Sequence, residues 1–329
     1  MPGRIECYFD IASFYSYVAF IQILRNKELL EQHSIEIEIH PVLLGAINVG
    51  SGNKPPWSLP AKAVYGRQDM QRAAKSVGIV NAAPPGDLLE VGRTMLPLRA
   101  LLYIQASYPR PVFLTALHYL FHVFWTLHRA PNDSASLLAA LLEVPASFPP
   151  IPSSPSPSPS PSPSPSSSPS PSPPSTTTSP SPSTASPALL FSPSTASLIV
   201  SEASSSGALK DALRRNVERA LARGAFGAPW LWVTRTRTGG KQQKEVKGKE
   251  GEEEEKEGDG KGGGQGEGEE GERGEMEGEG GEPFFGSDRW HFVYEYLGVP
   301  YRGVELLAPG GAEAAAAAAA EKAGTGAKL

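Results

Sequence analysis

One cysteine, Cys7, is the whole thiol inventory of this chain of 329 residues. A single thiol closes no internal disulfide and offers no dithiol pair for disulfide exchange. Its place in an apolar, strand-like run reads as a small core residue. Long apolar runs are also scarce. The most apolar stretch, residues 112–127, carries His118 and His122. It falls short of the roughly 20 residues that a membrane helix needs, so a buried helix is expected there. No basic-then-apolar stretch opens the chain, so no cleaved leader is expected. A dominant charge is missing too. Residues 241–282 hold 16 acidic and 7 basic side chains. Subtracting that −9 from the net charge of −5 leaves +4 for the remainder. A mildly basic body suits a small anionic ligand. It is too weak and scattered to indicate nucleic acid.

Two stretches lack the apolar residues that offset ordering entropy. Residues 146–193 are Ser and Pro, and residues 239–282 are Gly and Glu with some Lys. Setting these aside with the alanine-rich tail leaves about 220 residues, enough for one domain with an insertion. The pieces expected are 1–62, a helical block at 63–145, the Ser/Pro insertion at 146–193, and a helix and strand within 194–238. They continue with the acidic hairpin loop at 239–282, a strand and helix at 283–307, and a flexible tail at 308–329.

Residues 4–9 read as a strand that runs straight into a helix at 14–30, where Val18, Ile21 and Leu24 recur at helical spacing. Residues 35–40 alternate with period two, the mark of a half-buried strand. Residues 45–60 read as loop. Residues 68–77, 94–106, 111–130 and 137–142 read as helices, and so does the stretch around Leu209, Leu213, Val217 and Leu221, with Gly224 closing it. Strands follow at 230–233 and 283–286, and a last helix opens at Ser287. The order βαβ, helical block, αββα is that of an α/β, thioredoxin-like fold. An all-helical domain is inserted after the second strand, and there are two disordered low-complexity insertions.

The strand-to-helix junction carries Ser13-Phe14-Tyr15-Ser16. A thioredoxin-type fold that exchanges disulfides has Cys-x-x-Cys there. With oxygen in place of sulfur, the junction has no thiolate of its own. Its hydroxyl instead donates to a thiolate brought by a ligand. Ser13 is also a natural N-cap, and the two roles are compatible.

Four stretches together make the chain resemble the kappa-class glutathione transferases, a class of mitochondria and peroxisomes related to bacterial 2-hydroxychromene-2-carboxylate isomerases. They are Phe9-Asp10-Ile11-Ala12-Ser13-Phe14-Tyr15-Ser16, Ser51-Gly52-Asn53-Lys54-Pro55-Pro56, Gly224-Ala225-Phe226-Gly227-Ala228-Pro229 and Phe285-Gly286-Ser287-Asp288-Arg289. The resemblance implies a homodimer that uses glutathione as co-substrate, without a metal, against a small electrophile. It implies Ser13 as the catalytic residue, with Phe14 and Tyr15 beside it. Asn53, Lys62, Ala228 and the cis-proline Pro229 would hold the tripeptide, and Ser287 with Asp288 would hold its glutamyl end. Phe14 stands where the family usually has proline, which would loosen Ser13. Ala228 stands where a larger aliphatic residue is usual.

Each of these residues also has a plainer reading. Ser287 and Asp288 would cap a helix, Lys62 would be a solvated charge, and Pro229 an ordinary edge-strand proline. His118 and His122 lack further ligands at metal spacing and read as a packed or interfacial pair. The last residues, Ala327-Lys328-Leu329, match a peroxisomal import address read by a receptor, with mitochondrion or cytosol as alternatives. The expected activity is thiolate formation on glutathione for conjugation, and reduction of hydroperoxides. A glutathione-dependent isomerase and a non-catalytic scaffold with a decayed site are the alternatives.

Overall fold

The computed structural model describes residues 3–148, 188–235 and 280–311. Most of the expected insertions and tail, and with them Ala327-Lys328-Leu329, lie outside the described residues.

Strand β1 (Gly3–Phe9) leads into α1 (Phe14–Gln32), and β2 (Ile35–Pro41) follows. The helical block holds α2 (Leu44–Ser51), a 3-10 turn at Pro56–Ser58, α3 (Pro60–Ser76), α4 (Leu88–Val91), α5 (Met95–Ser107), α6 (Arg110–Trp125) and α7 (Ser134–Leu142). Then come α8 (Pro193–Ser205), α9 (Gly207–Ala222), β3 (Trp230–Arg235), β4 (Gly281–Phe285), α10 (Trp290–Leu297), and a small hairpin of β5 (Tyr301–Arg302) and β6 (Glu305–Leu306).

The main sheet has the order β2-β1-β3-β4. β2 runs parallel to β1, with Ile5 opposite Ile37. β3 and β4 are antiparallel additions, with Cys7 opposite Leu231 and Leu231 opposite Phe284. Alternation along β1 splits the core. Ile5, Cys7 and Phe9 face a large cluster with α1, α6 and α10, while Tyr8 packs with Val42, Ile47, Val217 and Trp230 under α2 and α9. The outer edge of β2 is closed by side chains. Gln105, Arg110 and Asn216 donate to the carbonyls of Ile39, Ile37 and Pro41 at 2.8, 2.7 and 3.0 Å. An edge so occupied offers no free template for a further strand.

Both insertions leave and re-enter the fold at paired backbone. Pro145 bridges Leu189, and the Leu190 N–H donates to the Val144 carbonyl at 2.8 Å. Thr234 pairs with Gly281 at the root of the β3–β4 hairpin. With their ends already joined, extra residues in such loops cost little further closure entropy.

Four expectations need correction. Residues 45–60 are not all loop, because α2 occupies Leu44–Ser51. Ile47 is fully buried, the Asp10 carboxylate accepts the Leu44 N–H, and Gly52 closes the helix at φ +72°. The density of Gly and Pro in that stretch hides the helix. Helix α8 lies in a stretch whose Ser and Pro continue the insertion's composition. Ser192 caps it, Pro193 takes its first position, and Ala196, Ile199, Val200 and Ala203 form its buried face, packed on α5 and α7. Helix α3 begins at Pro60, eight residues before the expected 68. Helix α10 starts at Trp290, so Ser287 and Asp288 precede the helix and do not cap it. The β5–β6 hairpin had no sequence signal.

Cys7 is fully buried, and burial pushes its thiol well above the usual range. His118 is buried against Tyr17, Phe20 and Phe148, and burial pulls its pKa down to about 3. Among the described residues no helix is long and apolar enough to cross a membrane.

Candidate functional site

A cleft of about 2060 Å³ opens at the C-terminal ends of β1 and β4, where α1 begins and α3 forms the far wall. Ser13, Phe14, Tyr15, Asn53, Lys62, Ala228, Pro229, Ser287 and Asp288 all line it. Residues from both ends of the chain are thus brought to one place by the sheet order.

Ser13 is the N-cap of α1 in extended geometry, φ −96° and ψ 111°. Its hydroxyl oxygen accepts the Ser16 N–H at 3.2 Å and donates its one proton to the Ala228 carbonyl at 2.8 Å. No acidic side chain belongs to the first turn of α1 itself, and the helix start carries partial positive charge. The Ala228–Pro229 peptide is cis. The Ala228 N–H has no protein acceptor among the described residues. Ser287 is buried beside this turn, and the Gly286 N–H donates to the Pro229 carbonyl at 3.1 Å. Gly286 sits at φ +96°, and a Cβ there would lie 2.9 Å from an Asp288 carboxylate oxygen. Only glycine serves that turn.

Asn53 ties two loops together. Its Nδ2 donates to the Phe226 carbonyl at 2.7 Å, and its Oδ1 accepts the Lys54 N–H at 2.9 Å. Phe14 takes the first position of α1 and packs edge-on against Trp125 at 5.2 Å. The Trp125 indole N–H in turn donates to the Ile11 carbonyl at 2.8 Å. Packing on Trp125 therefore holds this turn, and Ser13 stays in its capping geometry. Asp288 is exposed and ion-paired to Arg289.

The far wall carries Tyr65 and Asp69, which the sequence reading missed, beside the expected Lys62. The Tyr15 and Tyr65 hydroxyls both donate to the Asp69 carboxylate, Tyr65 at 3.2 Å. Burial, then the Asp69 bond and charge, push the Tyr15 phenol well above its usual range. Lys62 is exposed on α3 and has no ion-pair or hydrogen-bond partner among the described residues. Lys62, Tyr65 and Asp69 recur at i, i+3 and i+7, one helical face. That periodicity was the available signal, and it is weak because α3 was expected to start later. Arg25, Lys54, Arg67 and Arg72 add positive charge to the rim.

Glu6, Glu38 and His40 bring their ligand atoms within 4.8 Å of one another. Arg4 and Arg223 already pair with Glu6. Burial alone would raise the Glu6 pKa, but bonds from His40, Arg223 and Arg4 outweigh it and hold the carboxyl far below the usual range. Two guanidinium groups supply the positive charge that a metal ion would bring, so this donor set does not suit a cation.

Residues 4–146 match the family model for a DSBA-like thioredoxin domain. The chain is 36% identical over 104 residues to glutathione S-transferase kappa 1 of Caenorhabditis elegans, covering 31% of this chain and 45% of that protein. It is 27% identical over 143 residues to glutathione S-transferase kappa 1 of Homo sapiens, covering 43% of this chain and 61% of that one. It thus spans about half the length of these relatives. A solved structure of 2-hydroxychromene-2-carboxylate isomerase is 19% identical, covers 69% of this chain and 84% of its own, and superposes at a TM-score of 0.45. The fold is thioredoxin-like, of the DSBA-like kind, and the kappa-class resemblance drawn from the four motifs is borne out by these relatives.

Proposed function

We propose that the chain is a glutathione transferase of the kappa type. It binds reduced glutathione in the cleft and stabilises its thiol as a thiolate for attack on a small electrophile. The observation that carries this reading is the Ser13 hydroxyl at the mouth of α1, 2.8 Å from the Ala228 carbonyl.

A free thiol has a pKa of about 8.5, so little of it is thiolate at neutral pH. A hydroxyl donor and the partial positive charge of a helix start both favour the anion. No general base is needed. The free Ala228 N–H and the neighbouring carbonyl suit an extended peptide pairing as an added strand. In the free protein Ser13 spends its proton on that carbonyl. A peptide N–H arriving there competes for the carbonyl and releases the hydroxyl to the incoming sulfur. Ser287, Asp288, Asn53 and Lys62 complete the tripeptide site, with Asp288 facing the ligand's ammonium.

The reading also includes a homodimer, and import into peroxisomes through Ala327-Lys328-Leu329. Cross-linking and localisation of a chain lacking those three residues test these two points. Disulfide exchange is disfavoured, since the junction has hydroxyls and Cys7 is buried.

Isothermal titration of reduced glutathione into the full chain tests the central point, repeated with residues 241–282 deleted. Saturable binding to both forms is expected. Absence of binding to both would leave the scaffold reading. Product analysis then separates a conjugate, as expected, from a rearranged substrate with glutathione returned unchanged. The latter would make the chain an isomerase.

A further inference from the structure

Asp10 lies just beyond β1, fully buried, and does not line the cleft. Its carboxylate joins three segments. Oδ1 accepts the Ala12 N–H at 2.9 Å and the Thr94 hydroxyl at 2.7 Å, and Oδ2 accepts the Leu44 N–H at 2.7 Å. Ala12 belongs to the turn that presents Ser13. Leu44 opens α2, the helix that leads to Asn53. Thr94 opens α5 in the helical block. The Asp10 backbone carbonyl also accepts the Ser13 N–H at 3.0 Å.

Two helices give up local capping for this arrangement. The N-cap of α2 is Leu43, which has no side chain to cap with. The N-cap of α5 is Thr94, which makes no side-chain cap bond of its own. A Ser or Asp at the N-cap would satisfy a helix start without any distant partner. Here the Asp10 carboxylate takes the first N–H of α2, and on α5 it holds the Thr94 side chain through its hydroxyl. The two helix starts are thereby fixed to the turn before Ser13.

We propose that Asp10 is a positioning residue for the thiol site: through its three bonds it sets the Ser13 hydroxyl relative to the Asn53 arm and the helical block. This rests on the thiol-activating reading of the cleft. Asp10 touches no ligand itself. Displacing a reacting group by about 1 Å costs up to about a hundredfold in rate, so the effect should appear in chemistry as well as in stability.

The test uses the full chain with reduced glutathione. Thr94→Val removes the hydroxyl at nearly constant volume, and Thr94→Ser keeps it. Asp10→Asn keeps the shape but faces one donor with another. Melting temperature, the thiolate absorbance of bound glutathione against pH, and kcat and KM are read well below melting. Thr94→Val is expected to lower kcat about tenfold and to raise the bound-thiol pKa, with Thr94→Ser near wild type. Asp10→Asn is expected to do more, because its amide nitrogen would face the Leu44 N–H while its oxygen keeps the Ala12 and Thr94 bonds. If Asp10→Asn does not fold, the two Thr94 variants carry the test. Lower melting temperatures with an unchanged bound-thiol pKa and kcat would overturn the proposal alone. A wild-type chain that leaves the thiol at its solution pKa would overturn the functional reading, and this proposal with it.

Discussion

On the sheet side of the cleft, Ser13, Ala228, Pro229 and Ser287 are buried, the Ser13 hydroxyl is bonded to the Ala228 carbonyl, and the Gly286 N–H is bonded to the Pro229 carbonyl. On the α3 side, Lys62, Tyr65 and Asp69 are exposed or half-buried, and the bonds of Tyr65 and Asp69 run to side chains of the cleft. The sheet wall is fixed by burial and by the bonds to the Ala228 and Pro229 carbonyls. The α3 wall adjusts by side-chain rotation. The first is suited to charge stabilisation, which demands fixed donors. The second is suited to affinity and ligand choice.

Ser13→Ala should show this division most strongly. Removing one preorganised donor costs about a hundredfold or more in rate at comparable sites, so kcat/KM should fall by that order. A comparable fall in kcat from any α3 substitution would erase the contrast.

The sheet wall also has its own pH signature. Burial raises the Asp10 pKa from 3.8 to about 6, against the lowering effect of Ala12, Leu44 and Thr94. Between those values the folded state holds a proton that the unfolded chain has released. Stability from this group is therefore largest below pH 3.8 and declines as pH rises through about 6. At 1.36 kcal/mol per pKa unit the loss is about 3 kcal/mol. Glu6 has the opposite sign, since its depressed pKa gives stability above 4.5 that is lost on acidification. Denaturant titrations of wild type and Asp10→Asn across roughly pH 3 to 7, about one unit beyond each value, remove the shared Glu6 contribution by difference. The stability of wild type relative to the variant should drop with rising pH. A rise would mean that the three donors hold Asp10 ionised throughout.

On the α3 side, Asp69→Asn should raise KM for glutathione several-fold at nearly constant kcat, as loss of a charge-assisted bond predicts. Lys62→Ala should do least, about twofold to threefold in KM, because an exposed charge is worth under about 1 kcal/mol. Steady-state kinetics at varied glutathione separates these outcomes. A kcat effect would show that the α3 wall touches the chemistry.

Most of the sheet wall was legible in the sequence. Strand alternation in β2, the Ser13 cap and the Gly-Ala-Pro and Gly-Ser-Asp turns are local patterns with local causes. On the α3 side only Lys62 was named, and Tyr65 and Asp69 were not. Tyr15, Tyr65 and Asp69 meet only because α1 and α3 pack together, and no short-range pattern encodes that meeting. Asp10 was hidden for the same reason. It looked like one member of a motif, while its partners Leu44 and Thr94 lie 34 and 84 residues away. Helices α2 and α8 were obscured by Gly, Ser and Pro, whose turn preference gave way to a cap at each start and a buried face.

The most direct measurement is the ultraviolet titration of the thiol of glutathione bound to wild type and to Ser13→Ala. The account predicts a thiol ionising well below its solution pKa of about 8.5 in wild type, and close to that value in the variant. Identical titration curves for the two proteins would contradict it.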